Sequence, residues 1–137
     1  MKDVTTGTDT REPRPLDRSL LAFDLVAELE SLRSEPGWVE HGRTSKTLAK
    51  APTFRVVLTL LRAGGTVGDD DVWSPIAVQV LDGAVRADRD GQSVDVPDGG
   101  LVWFDAGSGW QVTAVEDAAL LLAVSWPLER SVEPSFV

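Results

Sequence analysis

At 137 residues the chain has the length of one domain, enough to bury a core without covalent staples. It contains no cysteine, which excludes disulfides, thiolate nucleophiles and cysteine-ligated zinc or iron–sulfur sites. The net charge of −9 is concentrated in one half: residues 1–68 carry ten Lys/Arg against nine Asp/Glu, and residues 69–137 carry three against thirteen. No basic groove is available for a phosphate backbone, so nucleic acid is disfavoured as a partner and a solvated acidic surface is expected. No apolar run reaches the length of a membrane span, and Met1 to Pro15 lacks a signal-like apolar stretch. The expectation is a soluble cytoplasmic protein with no membrane partner.

Residues 1–15 mix Thr, Asp, Arg and Pro without periodicity and are read as a disordered tail. Residues 16–42 are read as one helix and a connector. Leu16, Leu20, Phe23, Val26 or Ala27, and Leu29 to Leu32 recur at helical spacing, with Asp17, Asp24, Glu28, Glu30 and Arg33 largely between them. Asp17 or Ser19 is a candidate cap and Pro36-Gly37 a stop, giving a helix of about four turns. Its apolar stripe needs a partner, either the strands that follow or a second chain. The connector Trp38 to Gly42 holds His41, the only histidine; a lone histidine in a linker is read as a surface residue rather than a general base or metal ligand.

Arg43 to Ala51 reads as a polar strand and Thr53 to Arg62 as a stronger one. In the second, Val56, Leu58 and Leu60 share one face and Arg55, Val57, Thr59 and Leu61 the other, the pattern of a strand covered on both sides. A glycine-rich turn at Gly64 to Gly68 enters an acidic loop, Asp69 to Asp71. Pro75 restarts an extended chain, and Ile76 to Leu81 ends at the turn Asp82-Gly83. Ala84 to Asp88 and Gln92 to Val96 form a hairpin about Arg89-Asp90-Gly91, with Val85, Val94 and Val96 as inward candidates. After a turn at Pro97 to Gly100, strands follow at Leu101 to Phe104, Trp110 to Val115 and Ala118 to Trp126. Pro127 ends the last, and residues 128–137 are an irregular C-terminal tail. Short strands at this spacing make an antiparallel sandwich or barrel.

The stretch from Gly64 to Gly83 resembles the first motif of the cupin family, in which two histidines and a glutamate hold a metal; those places are taken here by Asp70, Val72 and Ile76. The second motif has its counterpart in Gly99 to Trp110. Gly99 and Gly107 keep the family glycines, Asp105 replaces a proline, and Trp110 replaces the fourth metal ligand. The resemblance implies an all-β fold: a double-stranded β-helix, or RmlC-like jelly-roll barrel, over residues 43–127, with one N-terminal α-helix. It also implies a lost metal site, since one carboxylate cannot ligate a transition ion and three apolar groups oppose burying its charge. Asp69-Asp70-Asp71 lacks the EF-hand spacing for calcium and is read as an exposed turn. No cofactor is expected.

Strand alternation, placed on the resemblance, turns Ile76, Val78 and Val80 inward together with Trp110, Val112 and Ala114. The barrel mouth is then lined by Asp70, Val72, Ile76 and Trp110. Asp70, Val72, Trp73, Ile76, Trp110 and Val112 are the candidate ligand-binding residues, with Trp103 nearby, for a small apolar or aromatic molecule. Trp110 is either an exposed ligand platform or a plug enclosed by Ile76, Val78 and Val112. The leading expectation is a metal-free binding or interaction protein without catalysis. The alternatives are a metal-free isomerase or epimerase, a degenerate dioxygenase, and a structural dimer with a packed barrel. A homodimer is expected from the two-sided apolar strand and the helix.

Overall fold

The computed structural model describes residues 19–72 and 74–125, so the expectations for both tails, for Trp73 and for Pro127 as a strand end lie outside the described residues. Nine strands run through them: β1 (Arg43–Ala51), β2 (Phe54–Leu61), β3 (Thr66–Val72), β4 (Ile76–Asp82), β5 (Ala84–Arg89), β6 (Gln92–Pro97), β7 (Leu101–Phe104), β8 (Gly107–Ala114) and β9 (Ala118–Ser125). They form two antiparallel sheets, one in the order β1-β2-β9-β4-β7 and the other β3-β8-β5-β6. From β2 onward the chain crosses repeatedly between sheets, which is jelly-roll topology.

Register sets the core. Across the five-stranded sheet Val57 pairs with Leu122 and Leu122 with Val78, while across the other Val67 and Ala87 both pair with Val112. These residues, with Leu61, Ile76, Val80, Val85, Trp110, Ala114 and Leu120, form one continuous buried cluster between the sheets. The inward sets expected for β4 and β8 are therefore as the alternation reads. Val85 and Val96 also point in, but Val94 is 54% exposed. Its parity is inward, yet β6 is a sheet edge with no strand beyond it to complete the enclosure.

β2 is sorted by the same rule: Val57 and Leu61 join the barrel interior, whereas Leu58 and Leu60 join a second cluster on the outer face with Leu29, Leu32, Leu48 and Ala119. The outer cluster is covered by α1 (Leu25–Arg33) and α2 (Pro36–His41). α1 is about half the expected length. Asp24, whose carboxylate accepts the amide of Ala27 at 3.2 Å, caps it in place of Asp17 or Ser19. Pro36 opens α2, where it has no helical hydrogen bond to lose, and Gly42 closes that helix at φ 69°. Pro36-Gly37 thus starts a helix instead of merely stopping one.

The polar reading of β1 hid a buried cation. Lys46 Nζ donates to Glu28 Oε1 of α1 at 2.7 Å, and their side chains are 4% and 0% exposed. The pair fixes where α1 sits on the sheet; removing one partner would cost about 3–5 kcal/mol by stranding the other charge.

Asp69 to Asp71 is a strand, not a turn. β3 pairs with β8 from Thr66↔Thr113 to Val72↔Gly107, and the ladder overrides the poor strand preference of aspartate. β3 is an edge strand, where charge discourages pairing with another chain.

Candidate functional site

The two motif strands meet around Trp110. Its indole is 4% exposed, packs 5.1 Å from the Phe104 ring at a 42° tilt, and shares the core with Ile76, Val78 and Val112. This is the geometry of a plug. Gly107-Ser108-Gly109 begins β8 and leaves no loop at the mouth. Gly68 and Gly109 let β3 and β8 approach closely. A Cβ on Gly68 would lie 2.3 Å from the Trp110 carbonyl oxygen, and one on Gly109 would lie 2.6 Å from that of Asp70.

Asp70 does not join this group. Asp69 pairs with Trp110 and Val67 with Val112, so Asp69 has inward parity and Asp70 faces out, where it is exposed. The slip relative to the expected mouth is one residue, enough to change faces. Of the six candidates, Ile76, Trp110 and Val112 share the buried core, and Asp70 lies outside it, meeting Trp110 in the lining of open surface depressions; the side chain of Val72 and all of Trp73 fall outside what is described. Among the described residues no group of three or more His, Cys, Asp or Glu side chains converges as a metal site would.

What the candidate set missed is Arg89. β5 pairs Ala87 with Val94 and Arg89 with Gln92, so Arg89 continues the inward row of Val85 and Ala87. The hairpin beyond it turns at Asp90 and Gly91, with φ 51° and 78°, as an Asp-Gly hairpin requires. Arg89 lies over the Phe104 ring, 5.9 Å from its centroid. Its Nη2 donates to the carbonyls of Asp105 and Ser108, both at 2.6 Å, and its Nε to those of Ser108 and Gly109 at 3.2 and 3.3 Å. These bonds hold the β7–β8 connection. Among the described residues Nη1 makes no hydrogen bond.

Beside Arg89 the sheets part. A cleft of about 290 Å³ lies between the β5–β6 hairpin and β7, with Ala87, Val94, Val102, Trp103 and Phe104 as apolar lining and Asp88, Arg89, Gln92, Ser93 and Asp105 as polar lining. Trp103 is 62% exposed on its rim. The Ser93 hydroxyl donates to Asp88, and this bond, with the nearby Arg86 guanidinium, holds the Asp88 carboxyl below its ordinary pKa. On the other side of Arg89 a depression of about 390 Å³ is ringed by Asp69, Asp70, Asp88 and Asp90. The clue to the cleft was present in sequence as the row Val85, Ala87, Arg89, but its opening depends on both sheets ending there.

No protein-family model and no curated protein matches the chain. Solved structures do. A conserved protein of unknown function from Streptococcus pyogenes is 20% identical with a TM-score of 0.65, covering 86% of this chain and 96% of that one. A cupin superfamily protein from Desulfitobacterium hafniense is 14% identical with a TM-score of 0.65, over 86% and 99%. The Cupin_2 domain of an XRE family transcriptional regulator from Enterobacter cloacae is 14% identical with a TM-score of 0.56, over 64% and 99%. The likeness shows the fold: the chain folds as a cupin-like jelly roll, all-β apart from its helices.

Proposed function

We propose that this cupin-fold chain is a small-molecule-binding module that holds one ring-sized ligand in the cleft between the β5–β6 hairpin and β7, without catalysis of its own. The observation that carries this reading is the pairing of a filled barrel, where Trp110 is 4% exposed, with an open cleft of about 290 Å³ that has an apolar floor and polar groups on one wall. Ligand sites combine those two features. Acid–base chemistry needs a group that titrates near the working pH. In the cleft Asp88 is held below the usual carboxylate range and stays ionised. His41 is remote, in α2 beside the end of β1 where Arg43 pairs with Leu61, whereas Phe104 pairs with Ile76 at the other end of the sheet. No histidine or lysine lines the cleft among the described residues, so an isomerase reading would rest on carboxylates alone. A similar barrel belongs to a transcriptional regulator, which fits a binding role.

The test is a thermal-shift screen of single-ring and two-ring compounds against wild type and Val94→Trp, which fills the cleft. Compounds should stabilise wild type only. Equal stabilisation of both proteins, or none of either, counts against the cleft.

A homodimer is a second element of the reading. α1 and α2 cover Leu58 and Leu60, so the apolar surplus on β2 is smaller than the alternation implied. Phe54 and Leu101 remain 46% and 65% exposed on the outer face of the same sheet, and they favour self-association there. Light scattering should give a dimer mass that Leu101→Glu halves.

A further inference from the structure

The chemistry of the cleft narrows its ligand, an inference that rests on the binding role proposed above. We infer that the cleft takes a neutral planar ring carrying a hydrogen-bond acceptor, a carbonyl oxygen or ring nitrogen, which Arg89 recognises through Nη1.

The guanidinium is not free to adapt. Three carbonyls hold Nε and Nη2, and Phe104 lies beneath it, so the orientation of Nη1 is fixed before any ligand arrives. Its two N–H groups make no hydrogen bond among the described residues, in a residue that lines both the cleft and the acidic depression, of which the cleft alone has an apolar floor. A donor pre-set beside an apolar floor selects an acceptor, and little is lost in ordering it on binding.

Charge decides between classes of acceptor. An arginine alone would favour a carboxylate. Here Asp88 and Asp105 line the same cleft as Arg89, while Arg86, which pairs with Asp88 at 3.3 Å, stands outside the lining, so an anionic ligand would meet two carboxylates and one guanidinium at the cleft wall. A cationic ring would face Arg89 directly. A neutral acceptor avoids both conflicts. Size agrees: about 290 Å³ lies at the lower limit of ligand cavities and suits one or two fused rings between Val94 and the exposed Trp103.

The experiment compares three bicyclic probes of similar area on the full chain by isothermal titration: quinolin-2-one, 2-naphthoate and N-methylquinolinium. The expected order places quinolin-2-one tightest by roughly tenfold, the scale of one net hydrogen bond. Arg89→Lys should erase that lead, and Val94→Trp should weaken all three probes. The wild-type order alone decides the ligand class, whatever Arg89→Lys does to the fold. Naphthoate or N-methylquinolinium binding as tightly as quinolin-2-one, with Val94→Trp still blocking both, overturns the neutral-acceptor inference and leaves the cleft standing. No binding by any probe, or binding unchanged in Val94→Trp, overturns both.

Discussion

Phe104 separates two regions with opposite designs. On one side its ring packs against Trp110, within a cluster where Ile76, Val78 and Val112 leave the indole 4% exposed. On the other it supports Arg89 and forms part of an open cleft whose rim residues Val94 and Trp103 are more than half exposed. The difference teaches that filling the barrel need not close the molecule to ligands. Where side chains fill the barrel, a concavity still remains at the place where two sheet edges, β6 and β7, fail to meet. Stability and binding are then carried by adjacent groups of residues that overlap at Arg89 and Phe104, and substitutions on either side of these two should separate them.

The largest effect should come from the sealed side. Trp110→Ala should lose about 3–5 kcal/mol in urea unfolding, because a buried ring is replaced by a cavity the sheets cannot collapse into. If Trp110 were a platform, the loss would be small.

Arg89→Leu should come next, at about 1–3 kcal/mol, since the substitution leaves the carbonyls of Asp105, Ser108 and Gly109 without their donor. Amide exchange in the β7–β8 connection should rise. Unchanged exchange there would show that the guanidinium does not brace it.

Val94→Ser sharpens the contrast from the open side. An exposed edge position should change stability by no more than about 0.5 kcal/mol, while affinity for a cleft ligand should fall. A stability loss comparable to that of Trp110→Ala would mean the two regions are not distinct.

The smallest effect concerns Asp88. Its folded pKa lies below the ordinary 3.8, chiefly through the Ser93 hydroxyl, so its stabilising contribution is present above the ordinary carboxylate range and is lost as pH falls through the depressed value. Ser93→Ala should move the carboxyl titration upward toward 3.8 by NMR and cost a little stability at neutral pH, a loss that vanishes once pH falls below the depressed value.

Local pattern determined much of this protein. Alternation in Ile76 to Val80 and in Trp110 to Ala114 identified the inward faces, the Asp90-Gly91 pair set the hairpin, and the two-sided apolar pattern of β2 foretold a layer on each side of it. These are legible because side-chain parity and turn geometry depend on a few neighbouring residues. Pairing between distant segments decided the rest. The β3–β8 register made a strand of Asp69 to Asp71 and turned Asp70 outward; the helix–sheet contact buried Lys46 against Glu28; the open edges of β6 and β7 exposed Val94 beside Arg89. No local propensity encodes these outcomes, because each depends on which strand lies opposite, and a one-residue difference in register reverses the face of every side chain it carries.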